Sequence, residues 1–159
     1  MAEIHYLMDY PVYLPIVAFW NYREWHFGKE PFDEIIERYR QRLQRDKVPT
    51  TLIALEDTMP VGSVSIKNDD LIERPDLNPW LASLYILGDY RGHDIGRQLL
   101  RAGERSALAA GVGRLYLFTH TAAGLYEKEG WTYMESLTRS DGITEAIYCK
   151  DLSVETLMK

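Results

Sequence analysis

Between Asp89 and Leu100 the chain reads DYRGHDIGRQLL, and its residue types are those of an anion-binding turn. An apolar, strand-like run precedes it and a helix-like run follows. The first N–H groups of a helix have no intrahelical partner and lie at the positive end of its dipole, so they attract phosphate. Gly92 and Gly96 would let the backbone approach an anion without a Cβ in the way. Arg91 and Arg97 can add charge-assisted hydrogen bonds. Asp94 sits in the middle of this turn and opposes it. A carboxylate about 5 Å from a phosphate charge repels it by about 0.8 kcal/mol in water and about 3 kcal/mol at an effective dielectric of 20. Only the N–H of residue 94 is needed, however, so an outward side chain near the helix start avoids most of that cost. No Gly-Lys-Ser/Thr follows and no Gly-x-Gly-x-x-Gly is present, which argues against a Walker loop and a dinucleotide fold.

Metal and disulfide chemistry find no support. His5, His26, His93 and His120 show no helical ligand spacing, and Cys149 is the sole cysteine, in the strand-like run AIYCK. A buried, inert thiol is expected there.

The turn needs elements to hold it. A short strand is expected over 4–7, a helix from Tyr13 to Trp25, and a second helix over 31–46 with Phe32, Ile35, Ile36, Tyr39 and Leu43 at helical spacing. TTLIALED and VGSVSIKN read as a hairpin, and 69–79 as a polar loop whose charges face water. The apolar runs at 80–87 and 114–120 suit buried strands flanking a helix over 95–110. A right-handed crossover makes those two strands parallel. TAAGLYEKEG is a short helix closed by Gly130, and 131–138 and 143–152 form a hairpin about RSDG. Hairpins at both ends predict a mixed sheet.

With 159 residues, 46% hydrophobic and 26% charged, the chain fits one globular domain. A net charge of −6 carries no basic surplus for nucleic acid and leans toward cationic small molecules or basic peptides. MAEIHYLMDY is unlike a signal peptide, and YLPIVAFW is too short to span a bilayer, so neither membrane nor export is expected and the cytoplasm is the default.

PWLASLYILGDYRGHDIGRQLL followed by RLYLFTHTAAGLYEKEGW resembles the GNAT superfamily of N-acetyltransferases. Arg91, Gly92, His93, Asp94, Ile95 and Gly96 are similar to its acetyl-CoA motif, Arg/Gln-x-x-Gly-x-Gly/Ala, with Asp94 where glycine is common. Ala122, Tyr126, Glu127, Lys128, Gly130 and Trp131 resemble its downstream motif, and the order of elements matches over essentially the whole chain. The resemblance implies an α/β (mixed α+β) fold in a single domain over 1–159. Its sheet would be mixed and mostly antiparallel, with helices on both faces and a central parallel βαβ pair splayed to hold acetyl-CoA.

It also implies a site. The pantetheine arm would replace a strand along Leu84, Tyr85 and Ile86, and the pyrophosphate would sit on the N–H groups of 91–96 with Arg97 beside them. Thr119, Ala122, Leu125 and Tyr126 would line the other side. The Ile86 N–H would hold the developing oxyanion, a donor whose loss typically costs about 2.7–4 kcal/mol. Tyr126 matches the family's proton donor to the leaving thiolate; alternatively it packs with Leu125 and Trp131. The base is left open among Glu24, His26, Tyr85 and His120, or attack proceeds without one. Glu24, Trp25 and His26, in an aromatic and acidic stretch, are candidates to bind a cationic amine; the plain reading is core aromatics and a solvated helix start. The expected activity is acetyl transfer from acetyl-CoA to a primary amine of a small molecule or peptide by direct attack, in a monomer or homodimer with no metal. The alternative is a degenerate acyl-CoA-binding module without catalysis. A nucleotide-binding regulator would lack the tyrosine helix.

Overall fold

Alternating and continuous apolar runs become seven strands, and helical spacing becomes the helices that cover them. In chain order they are β1 (Glu3–Tyr6), α1 (Leu14–Asn21), α2 (Phe32–Gln41), β2 (Thr50–Glu56), β3 (Met59–Lys67), β4 (Trp80–Ile86), α3 (Ile95–Ala109), β5 (Arg114–Thr119), α4 (Ala123–Lys128), β6 (Thr132–Thr138), β7 (Thr144–Asp151) and α5 (Val154–Leu157). This computed structural model describes residues 2–158; Met1 and Lys159, the ends of the expected 1–159 domain, lie outside the described residues.

The strands form one sheet in the order β1-β2-β3-β4-β5-β7-β6. Every neighbouring pair is antiparallel except β4 and β5, which are parallel as the crossover through α3 requires. The expected mixed sheet with helices on both faces is therefore present. One face is closed by α3 and α4: Ile95, Leu99 and Leu100 of α3 pack with Val64, Leu81, Leu115 and Leu117 of the sheet. Full burial of each such leucine is worth about 1.5–3 kcal/mol. On the opposite face α1 and α2 cover the first half of the sheet through Leu14, Val17, Trp20, Ile35 and Tyr39. Leu71 and Leu77 of the 69–79 loop cover the second half against Trp80 and Ile147.

That loop is less solvated than its charges imply. Arg74 bridges Asp76 and Glu135, Lys67 holds Asp70 at 2.9 Å, and Glu73 accepts from the Ser140 N–H at 3.2 Å. Its leucines pull these charges onto the sheet. Three other local expectations are corrected. The first helix stops at Asn21 and continues as one wide π-turn, Tyr22–His26, in place of regular helix to Trp25. The second helix stops at Gln41, not at 46, because Arg42 is buried over the Tyr39 ring and donates to Ser65 Oγ at 3.1 Å. A last helical turn, α5, was not expected; Ser153 and Thr156 cap it reciprocally.

Candidate active site

The site starts where β4 and β5 part. They pair only at Trp80 and Tyr116, and above that point a gap opens toward their carboxyl ends. A bulge in β4 sets the edge that faces the gap. Ser63 pairs with Tyr85 and Ser65 with Ala82, so β4 carries one extra residue between them. Ser83 takes φ +57° there, and Asn21 Nδ2 donates to its hydroxyl at 3.0 Å. Thus α1, through Asn21, fixes the bulge.

Backbone directions follow. The Leu87 N–H donates to Val61 O at 2.8 Å, so it faces β3. N–H groups alternate along a strand, and the Ile86 N–H therefore faces the gap. The Ile86 carbonyl points the same way and accepts from Arg91 Nε at 3.0 Å. Arg91, expected at the anion, is instead tied to β4, with its guanidinium over the Tyr85 ring. Gly62, opposite Ile86, has no room for a side chain: a Cβ would lie 2.9 Å from Tyr85 O.

The turn above β4 bends through Gly88–Tyr90 and enters α3 by two left-handed residues, Gly92 (φ +81°) and Asp94 (φ +71°). Gly92 needs its missing Cβ for that conformation. The first helical bond runs from Gln98 N–H to Asp94 O at 3.1 Å. The Arg91 N–H closes the turn on Gly88 O, which narrows the expected donor run from 91–96 to later residues. The N–H groups of 92–97, which include His93, Ile95 and Gly96, have no acceptor among the described residues. A concave run of free amides next to a helix start fits a pyrophosphate. The Asp94 carboxylate is exposed and accepts from Arg97 at 2.7 Å, so Arg97 is spent on it.

Across the gap, Thr119 Oγ1 accepts from the Ala122 N–H at 3.0 Å and from Thr121 at 3.3 Å, which starts α4. Ala122 and Leu125 pack at the rim of the α3–α4 core, and Leu84 and Ile86 pack there from the other strand. Tyr126 is 8% exposed and lies edge-on to Trp131 at 6.3 Å. Its hydroxyl has no hydrogen-bond partner among the described residues, and burial pushes its pKa up to about 12. Trp131 is itself fixed, since its Nε1 donates to the buried Glu104 at 3.0 Å and Lys150 holds the other Glu104 oxygen at 2.7 Å.

The other face of the gap carries different chemistry. Leu115 and Leu117 face α3, whereas Tyr116 and Phe118 face the 69–79 loop. Alternation puts Thr119 on the α4 side and His120 on the opposite side. There His120 Nδ1 lies 3.1 Å from Glu145 Oε1 of β7. Tyr85 borders the same face, packed on Trp20 at 5.4 Å and edge-on to Trp25 at 6.5 Å. Trp25 is 40% exposed, and Glu24 is exposed with no ion-pair partner among the described residues. His26 takes part in an ion-pair cluster. Its Nδ1 meets Glu30 at 2.6 Å, and Arg38 holds the same carboxylate. Burial holds the His26 pKa below its usual value, with Arg38 and Lys67 adding and Glu30 opposing.

Sequence reading missed Glu145, Asn21 and Gly62. Glu145 had a usable signal: it shares strand parity with Ile147, an inward position where a carboxylate is out of place. Asn21 and Gly62 had none, because their roles depend on strands distant in sequence. Cys149 is half-buried at the surface groove beside Arg114 and Lys150. No cluster of three or more potential metal ligands occurs among the described residues, and no helix is long and apolar enough to cross a membrane.

The sequence model of the acetyltransferase (GNAT) family matches residues 16–131, and the chain belongs to that family. No curated protein sequence matches the chain. Among solved structures, an acetyltransferase of the GNAT family from Streptococcus pneumoniae is similar at 22% identity and a TM-score of 0.73, with 96% of this chain and 100% of that one covered. A putative acetyltransferase from Salmonella typhimurium, solved with its cofactor acetyl-CoA, has 15% identity, a TM-score of 0.72 and coverage of 96% and 95%. An aminoglycoside 6′-acetyltransferase type Ii has 17% identity, a TM-score of 0.72 and coverage of 94% and 96%. At these identities the likeness establishes the fold.

Proposed function

We propose that the protein transfers the acetyl group of acetyl-CoA to a primary amine by direct attack. One observation carries the reading: the Ile86 N–H faces an open gap between parallel strands, directly below a turn with free amides at 92–97. The turn would hold the pyrophosphate, and the edge of β4 through Leu84 and Ile86 would hold the pantetheine arm. Bound there, acetyl-CoA supplies an activated thioester. The Ile86 N–H polarises its carbonyl and stabilises the negative charge that develops on oxygen. His120 Nε2 takes the proton from the attacking amine, so that the new C–N bond forms without a cationic product. Tyr126 gives its phenolic proton to the sulfur as the C–S bond breaks, and is reprotonated from solvent. Tyr126 remains protonated across neutral pH because burial pushes its pKa to about 12.

Trp25 and Tyr85, with the exposed Glu24 next to Trp25 in sequence, form an aromatic and acidic wall for the acceptor amine, and His26 is paired with Glu30. The aminoglycoside acetyltransferase among the structural relatives supports an amine acceptor. Asp94 does not favour the non-catalytic binder, since its carboxylate is turned out and neutralised by Arg97. Calorimetric titration with acetyl-CoA, followed by thiol release assayed over an amine panel, tests the proposal. Binding with amine-dependent thiol release is expected, and absence of acetyl-CoA binding would falsify it.

A further inference from the structure

His120 lies against a buried carboxylate of β7. Glu145 is a carboxylate at 2% exposure on a sheet face otherwise lined by Phe118, Ile147 and Leu137. A buried carboxylate needs partners for both oxygens. Oε1 meets His120 Nδ1 at 3.1 Å, and Oε2 meets Arg139 Nη1 at 3.4 Å. Arg139 comes from the β6–β7 hairpin, where it also reaches Asp141 at 3.5 Å and lies over the Phe118 ring. The imidazole is 55% exposed, and its Nε2 has no partner among the described residues. His120 stands four residues above Tyr116, the point where β4 and β5 part. At about 3.3 Å per residue it rises about 13 Å along the gap, which the extra residue of the β4 bulge makes level with Tyr85.

We infer that Glu145 is the positioning residue for His120, acting on the functional reading above. A carboxylate can only accept, so it forces the neutral imidazole to carry its proton on Nδ1. The lone pair is then left on Nε2 of an imidazole that is 55% exposed. The same contact fixes the ring plane at a strand end where side chains are otherwise free to rotate. Nucleophile-activating bases oriented by a third group follow this logic on unrelated folds. In the transfer step the amine proton passes to Nε2, and the imidazolium formed is stabilised by Glu145 while the C–N bond forms. The proton leaves to solvent after product departs, so the residues return to their starting state. Glu145 itself touches neither substrate.

Nitrogen-15 NMR of the imidazoles, together with steady-state kinetics, tests this. The wild-type chain should show His120 as the Nδ1–H tautomer. Glu145→Gln should lose that preference, because an amide donates as well as accepts. Its kcat should fall by about 10–100-fold, with KM for both substrates within about twofold, since general-base contributions are of order 10²–10⁴. In a His120→Ala background, Glu145→Gln should have no further effect on kcat. Packing damage would instead carry over into that background, and such a further loss overturns the inference. So does an Nε2–H tautomer in the wild type, or an unchanged kcat in Glu145→Gln. The NMR reading does not depend on turnover. A chain that binds no acetyl-CoA overturns the functional reading, whereas the tautomer decides the role of Glu145.

Discussion

The two faces of the gap between β4 and β5 are built from different materials. On the α3 side the anion turn is backbone: free amides at 92–97, two left-handed residues and a helix start, all within one contiguous stretch. On the opposite side the proposed groups are side chains: His120 from the end of β5, Glu145 from β7, and Tyr85 with Trp25 from β4 and the π-turn. A backbone site is specified by local conformation and tolerates side-chain change as long as the turn closes. A side-chain site depends on packing between elements, and any one partner can be lost. The first kind suits a co-substrate shared across a family, the second an acceptor that differs from member to member.

The comparison is tested most severely on the proton-transfer groups, one on each side. Tyr126→Phe and His120→Ala should each lower kcat by about 10²–10⁴-fold while calorimetric acetyl-CoA affinity stays close to wild type. A large loss of acetyl-CoA affinity in His120→Ala would erase the division between the faces. Next in size is the alkaline stability of the fold. The Tyr126 pKa is raised from 10 to about 12 by burial, so its contribution is full below pH 10 and is lost as pH rises through 12. Denaturant titrations should show about 2–3 kcal/mol lost over that window in the wild type, and distinctly less in Tyr126→Phe.

Gly62→Ala should destabilise by about 1–3 kcal/mol in chemical denaturation, because the new methyl meets Tyr85 O at 2.9 Å. It should also depress kcat by displacing the Ile86 N–H, since β4 must move. Trp25→Ala should raise acceptor KM by about 3–10-fold, on the order of 1 kcal/mol of aromatic contact. His26→Gln should leave it unchanged, and an equal rise in both would return His26 to the acceptor wall. The smallest effect belongs to Asp94→Gly. It removes a non-glycine residue at φ +71° and frees Arg97, so KM for acetyl-CoA should fall by about two- to fivefold with kcat unchanged. A fall in kcat there would give Asp94 a part in the chemistry.

Particular residues show how far the sequence reached. The turn was legible because its glycines and helix start lie in one short stretch, although its free amides run over 92–97 and not 91–96; Ile86 and Tyr126 were singled out by the family resemblance alone. The place of Arg91 in the turn was legible, but its bond to the Ile86 carbonyl depended on how the turn folds back on β4. His26 and His120 were both candidates for the base, His120 as the end of a strand and His26 within an aromatic and acidic stretch. The folded chain gives one to Glu30 inside an ion-pair cluster and the other to Glu145 of β7.

By itself, the sequence determined the strand and helix order, the parallel crossover and the amide-rich turn, since these follow from hydrophobic period, glycine placement and the handedness of a βαβ unit. Tertiary structure alone decided which carboxylate each histidine meets. His120 and Glu145 are 25 residues apart and meet only because β5 pairs with β7 in one register. A slip of one residue would turn every β7 side chain to the other face and leave the carboxylate among the leucines under α3.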